Sequence, residues 1–151
     1  MKHIFLAFTL LFTACSDSAQ ASIASPSANV IAVSTSGSEF SYNFAVTLRS
    51  DETGCAQYAN WWEVLRSNGT LAYRRILVHS HPDTQPFKRS GGSVNIAYDE
   101  IVYIRAHFNK LGYKGDVFKG SVKEGFSKTE DNISKTAKVE LQLPQPNGCL
   151  F

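Results

Sequence analysis

The sequence predicts an all-β domain, built as a single antiparallel β-sandwich of about seven to eight strands. Large apolar residues occupy every second position from Phe40 to Leu48, which is the period of a half-buried strand. Asn68-Gly69 separates two runs rich in apolar and aromatic residues, which is a strong hairpin signal. Turn-forming residues recur between the remaining short runs, and no segment shows convincing helical periodicity. These features favour two stacked sheets with the core between them.

The strands are expected to follow one another at short intervals. They are predicted at about 29–34, 40–48, 58–66, 70–78, 93–97, 100–108, 116–122 and 138–143. The Asn-Gly turn predicts that 58–66 and 70–78 pair through a type I′ turn, which needs positive φ at both central residues. The last strand is predicted because apolar and polar residues alternate before Pro144 and Pro146, which would end it. Segment 123–133 is polar and is expected to be a loop.

Two resemblances follow from these elements. The order and spacing of the strands, with a tryptophan in the third, resemble immunoglobulin-like or fibronectin-type-III-like domains. Residues 55–115 also resemble a bacterial exported family known only as uncharacterised. That pattern is carried by Tyr58-Ala59-Asn60-Trp61-Trp62-Glu63-Val64, His79-Ser80-His81 and Gln85-Pro86-Phe87-Lys88-Arg89-Ser90-Gly91-Gly92. The resemblance implies no activity and assigns no functional residue. The family often has an acid where this chain has Thr84, and this departure removes one possible ligand or base.

The N-terminus predicts export. A short basic start precedes an apolar run, Ile4–Ala14, that is too short to span a bilayer as a stable helix. Phe12-Thr13-Ala14-Cys15 approximates a lipobox, which predicts a signal peptide over 1–14 and lipidation of Cys15. Cleavage after Ala21 is the alternative, and it would leave a soluble periplasmic or secreted protein.

The residues after Cys15 bear on where the chain is anchored. Ser16, not an acid, follows the cysteine, and by resemblance to bacterial lipoproteins this favours the periplasmic face of the outer membrane. Residues 15–27 are small and polar, so we expect a flexible tether that reaches about 20 Å. The sandwich is then expected over 28–151.

Processing by either route removes Cys15 from disulfide pairing. Cys55 and Cys149 remain as an even pair in an oxidising compartment, so we predict that they form a disulfide, with two free thiols as the alternative. The formal net charge of +2 comes without a basic stripe. The composition therefore argues against a nucleic-acid partner.

The segment 79–92 holds the main candidate site. His79 and His81 are two residues apart and would project to the same side of an extended chain, which Pro82 favours. With a third ligand they could hold zinc or copper. His107 is the favoured third ligand, and Asp83 and Asp99 are the alternatives. The competing interpretation is that the histidines hydrogen-bond loop backbone at the end of a strand.

The same segment could bind an anion or cover a tryptophan. Lys88 and Arg89 precede a Ser-Gly-Gly turn whose backbone N–H groups could hold a carboxylate or phosphate, unless the turn is simply solvated. Trp61 and Trp62 point to opposite sides of their strand, so only one belongs in the core. The other is expected to be covered by the 79–92 segment, or to offer a stacking surface to a sugar or a partner protein.

Enzyme readings find little support, because the sequence has no G-x-S-x-G elbow, P-loop or dinucleotide fingerprint. The sequence favours a non-enzymatic, membrane-tethered module that binds an envelope protein or glycan through the 79–92 segment. The alternative is a metal-binding module or metalloenzyme that uses His79, His81 and His107.

Overall fold

The computed structural model describes residues 25–131, 133 and 137–150. The predicted signal peptide, Cys15 and most of the predicted tether lie outside these residues. Within these ranges eight strands are formed, with the bounds β1 Ala28–Ser38, β2 Ser41–Ser50, β3 Ala59–Arg66, β4 Leu71–Ile76, β5 Phe87–Val94, β6 Val102–Phe108, β7 Val117–Ser121 and β8 Gly125–Thr129. They build a three-stranded sheet in the order β1-β2-β5 and a five-stranded sheet in the order β4-β3-β6-β7-β8. All pairs are antiparallel, so the predicted all-β sandwich is confirmed and is consistent with an immunoglobulin-like arrangement.

The core lies between the two sheets and follows the alternation of the sequence. Phe44, Val46 and Leu48 of β2 point inward and are fully buried. Trp62 and Val64 of β3 face them from the five-stranded sheet. Within the described ranges, no helix has the length and apolar character needed to cross a membrane.

The strand β3 is buried on both sides, which distinguishes it from β2. Its outward side chains Trp61, Glu63 and Leu65 are as inaccessible as the inward ones. The chain after β8 accounts for part of this burial, because residues 137–150 cross the outer side of the five-stranded sheet; we call these residues the strap. The predicted disulfide joins Cys149 of the strap to Cys55, with a Cα–Cα distance of 5.6 Å.

The predicted hairpin is present, but its turn differs from the prediction. Strands β3 and β4 pair with Glu63 opposite Arg74. Only Gly69 in the turn has a positive φ, so the type I′ assignment was wrong. The backbone instead closes a longer loop, in which Arg66 N donates to Thr70 O and Gly69 N donates to Arg66 O. The Asn68 side chain accepts from Thr70 N, which explains why asparagine suits this turn without left-handed geometry.

Two segments near the C-terminus also differ from the prediction. Residues 125–129, expected in a loop, form β8, because Phe126 packs against the core with its ring 5.6 Å from that of Phe44. The predicted strand 138–143 is not formed. A 3₁₀ helix over Ala137–Val139 leads into turns there, because side chains capture the carbonyl groups that a strand would offer to its neighbour.

The strand β5 begins earlier than expected. It spans Phe87–Val94, where we had predicted a loop to 92 followed by a strand at 93–97. Lys88 and Arg89 therefore lie on a strand, and the Ser-Gly-Gly stretch is part of that strand and not a turn.

Candidate functional site

The segment 79–92, which we call the histidine segment, contains one exposed and one buried imidazole. His79 is exposed, and its ring centroid lies 5.5 Å from that of His81. The His81 ring stacks on Phe87 with a centroid distance of 4.0 Å and an interplanar angle of 16°. Arg89 Nη2 lies 2.5 Å from Nε2 of His81. Phe87 and Arg89, which begin β5, therefore fix His81 in place.

A buried carboxylate attaches this segment to the rest of the domain. The Glu52 side chain is inaccessible, and it accepts a short hydrogen bond from the backbone N–H of His81. Its other oxygen accepts from Ala59 N at 3.2 Å and from the Ser50 hydroxyl at 2.5 Å. Because three segments meet at Glu52, this residue positions the histidine segment on the sandwich. Sequence reasoning missed it, since Glu52 lies in an unpatterned connection.

The neighbours of His81 define its protonation state. A guanidinium can only donate, so Nε2 must accept from Arg89 and we infer that the proton of the neutral ring is on Nδ1. Nδ1 has no hydrogen-bond partner among the described residues and lies 3.7 Å from Glu52 Oε2. Burial, followed by the charge of Arg89, lowers the pKa of His81 to about 4. The ring is therefore neutral near pH 7.

The structure places the third histidine in a different cluster. His107 lies with Nδ1 2.6 Å from Asn60 Oδ1 and Nε2 3.0 Å from Glu140 Oε1, so both of its nitrogens have protein partners. In the ranges that the structure describes, no group of three or more His, Cys, Asp or Glu side chains is placed to hold a metal ion. Asp83 is exposed near His81, and Asp99 lies in the turn before β6 at the other end of the sandwich. Zinc or copper binding at His79, His81 and His107 stays a prediction.

Trp61 lies on the outer side of the five-stranded sheet and is 3% exposed. Its ring stacks on His107 at 3.7 Å, and Arg74 Cζ lies 4.5 Å from its centroid. Its Nε1 donates to the Tyr113 hydroxyl at 3.2 Å. These ring contacts differ from the cover that we expected from the 79–92 segment. Because Trp62 is in the core, neither tryptophan offers an exposed face for stacking a sugar.

Beside Trp61, one carboxylate lies between two guanidinium groups. Glu63 is directly opposite Arg74 on β4 and Arg105 on β6, so the three side chains form a row across the sheet. Arg74 Nη2 and Arg105 Nη2 each lie 2.7 Å from a Glu63 oxygen, and all three side chains are almost inaccessible. Arg105 Cζ also lies 3.5 Å from the Tyr113 ring centroid. The pKa of the Tyr113 phenol is raised by burial and then by the Glu63 charge.

Sequence reasoning missed this row. Tyr103, Arg105 and His107 alternate with apolar residues along β6, so they share the side of the strand that faces away from the core. This alternation is the signal that could have revealed Arg105. The row carries two guanidinium groups and one carboxylate. One carboxylate cannot accept from all the N–H donors of two guanidinium groups, so some of these donors remain available for other acceptors.

Arg74 uses such donors to hold the strap. Its Nη1 donates to the carbonyl of Gln142 at 2.6 Å and to that of Pro144 at 3.1 Å, while Nη2 donates to Val139 O at 2.7 Å. The strap segment that it holds carries Leu141 and Leu143, which are 83% and 81% exposed. A fixed backbone thus presents two large apolar side chains to solvent.

Comparison with known proteins finds one distant curated relative. A protein of Halomicrobium mukohataei named "Putative lipoprotein" is 31% identical over 97 residues. The match covers 64% of this chain and 48% of the relative, so the chain spans about half the length of the curated relative it matches. No family model matches the sequence, and no solved structure matches it significantly.

Proposed function

We propose that this chain is a membrane-tethered binding module, held by a lipid on Cys15 at the periplasmic face of the outer membrane. The lipobox-like Phe12-Thr13-Ala14-Cys15 and the name of the distant relative support the tether. Ser16 supports the outer membrane over the inner membrane. The sandwich would then be a rigid domain that a short flexible tether connects to the membrane.

The binding surface that the geometry supports best is the outward side of the strap. The observation that carries this proposal is the exposure of Leu141 and Leu143, each above four-fifths, on a backbone held by three hydrogen bonds from buried Arg74 and by the nearby disulfide. When exposed large apolar side chains contact a partner, the apolar area that they bury stabilises the complex. Because the backbone is already ordered, a partner gains that area with a smaller entropic cost.

The chemistry of this surface favours a protein of the envelope over a glycan. Sugar recognition commonly uses an exposed aromatic face, and both tryptophan rings are buried here. His79 and Asp83, two exposed residues of the histidine segment, would supply polar contacts at the rim. This segment adjoins the strap, because Leu150 N donates to Val78 O at 2.5 Å.

Photo-crosslinking in cells tests the binding surface. A photoreactive amino acid at Leu141 or Leu143 should give a discrete protein adduct, whereas the same group at exposed Ser34 of β1 should not. Leu141→Asp with Leu143→Asp should abolish complex formation with the crosslinked partner while changing the free energy of unfolding by less than about 0.5 kcal/mol. Equal adducts at Leu141 and Ser34 would refute the strap as the binding surface.

The tether is tested separately. Cys15→Ala and globomycin should each prevent lipid modification, which the mass of the processed protein reports. An unmodified Cys15 in untreated cells, or cleavage after Ala21, would refute the lipid anchor.

A further inference from the structure

The end of the sandwich from which the tether leaves is defined by the first described residues. Ser27 N donates to Asp51 Oδ2 at 3.0 Å, and Asp51 N donates back to Ser27 O at 3.2 Å. β1 therefore starts beside the connection between β2 and β3. We call this the tether end, and by register it also holds the start of β3 and the end of β6.

Three partly exposed apolar side chains lie at the tether end. Leu111 is 40% exposed, Val78 41% and Leu150 61%. Backbone and side-chain contacts connect them into one rim: Leu150 N donates to Val78 O, and the Asn109 side chain donates to the carbonyl of Cys55, the disulfide partner of Cys149. Leu111 is at the tip of a tight turn, in which its N–H and that of Gly112 both donate to Phe108 O.

Two lysines flank the apolar tip. Lys110 and Lys114 are exposed, and neither forms an ion pair with another residue that the structure describes. Asp51, an exposed acid at this end, is already bonded to Ser27 N. A leucine between unpaired lysines is the combination that enters a membrane interface, with the apolar group among the acyl chains and the cations at anionic headgroups.

We propose that the tether end lies against the bilayer surface, with Leu111, Val78 and Leu150 in the interface and Lys110 and Lys114 on anionic phospholipid headgroups. This orientation rests on the tether proposed above. Twelve residues, 16–27, separate the lipid site from β1. A tether that reaches only about 20 Å keeps this end at a high effective concentration near the headgroups, so weak contacts are sufficient. The part of the strap that carries Leu141 and Leu143 lies on the side of the five-stranded sheet and stays accessible to a partner.

Tryptophan reporters on the mature lipidated protein test the orientation. Leu111→Trp is compared with Tyr98→Trp, which replaces an exposed aromatic residue at the opposite end. The proteins are reconstituted in phosphatidylcholine vesicles, with or without phosphatidylglycerol, that contain brominated lipid. We expect a blue shift and strong quenching for Leu111→Trp in the anionic vesicles, and neither for Tyr98→Trp. Lys110→Trp is a second reporter of the same turn, should Leu111→Trp fail to fold.

The lysines provide the matched control. Lys110→Gln with Lys114→Gln, added to Leu111→Trp, should lower the ratio of docked to undocked domain roughly 25-fold, because each lysine contributes about fivefold near an anionic surface. Equal quenching of the two reporters, or a crosslink from Leu111 to a protein in place of lipid, would overturn the orientation. Vesicle flotation separates the two proposals: protein that floats but shows no selective quenching retains its tether and loses the orientation. Protein that fails to float loses both.

Discussion

The two sides of β3 are equally buried, but they are built from different chemistry. The inner side presents Trp62 and Val64 to the core, where the removal of apolar area from water stabilises the fold. The outer side presents Trp61 and Glu63, with Arg105 of β6 beside them. The two charged groups lose hydration where the strap and the Tyr113 ring cover this side. Buried ion pairs often contribute little net stability, because desolvation offsets their attraction. The outer side therefore contributes less to the stability of the fold than to the position of the strap, which its side chains hold in place.

Removal of the disulfide should produce the largest effect and should act on the outer side. Cys55→Ser with Cys149→Ser releases an end of the strap and frees a constraint between residues 94 apart in sequence. The chain-entropy model gives a loss of about 4–5 kcal/mol in the free energy of unfolding. Urea unfolding of the variant, beside the reduced wild-type protein as control, measures this. A loss below about 1 kcal/mol would contradict the constraint that the model assigns to the bond.

Neutralisation of Glu63 should cost more stability than a conservative change on the inner side of the sheet. Glu63→Gln leaves two buried guanidinium groups without a counter-charge, so we expect a loss of about 3–5 kcal/mol. Ile104→Val, which removes one buried methylene from the inner side, should cost about 0.5–1.5 kcal/mol. Denaturant unfolding compares the pair. Equal losses would mean that the carboxylate contributes no more than ordinary packing.

Replacement of Arg74 should be milder and more local. Arg74→Met leaves Glu63 paired with Arg105, a balanced ion pair, but removes the donor to three strap carbonyls. We expect a loss of about 1–3 kcal/mol, from the acceptors that remain unsatisfied. Hydrogen exchange should quicken at Gln142 N, which donates to Val139 O, while the β3–β6 amides keep their protection. Unchanged exchange at Gln142 would show that Arg74 does not hold the strap.

The effect of His81 should differ in kind, because it appears as a pH dependence of stability. Its folded pKa is lowered to about 4, below the usual value near 6.5, so the unfolded chain binds the proton first as pH falls. The stability that neutral His81 provides is complete above about pH 6.5 and is lost as pH falls toward 4. His107, whose pKa is also lowered by burial, shifts stability in the same direction.

The contribution of His81 can be isolated by substitution. The free energy of unfolding of His81→Gln should fall less steeply than that of the wild type between about pH 6.5 and 4. The difference between the two proteins near pH 8, where the imidazole is neutral in both the folded and unfolded states, measures the packing that the substitution removes. Parallel curves for the two proteins would contradict the lowered pKa.

The sequence predicted what depends on local periodicity. Alternation over Phe40–Leu48 corresponds to β2, and the turn signal at Asn68-Gly69 corresponds to the β3–β4 hairpin. The disulfide followed from cysteine counting. The strand and hairpin signals each span only a few residues, and the disulfide prediction follows from the oxidising compartment.

The remaining features depend on contacts between distant segments. Leu141 and Leu143 alternate as in a strand, but Arg74, nearly seventy residues earlier in the sequence, binds the carbonyls around them. β8 is mostly polar and is ordered because Phe126 reaches the core. The role of Glu52 under the histidine segment could not be foreseen, since no pattern links it to His81.

The account depends most on the strap being rigid while its leucines face solvent. Backbone amide order parameters of Leu141 and Leu143, measured by ¹⁵N relaxation on the oxidised protein, test this directly. Values near 0.85, as expected for ordered strands such as β3, are predicted because Arg74 and the disulfide hold the segment. Values below about 0.6 would mean that the leucines belong to a flexible tail, and the proposed binding surface would then be wrong.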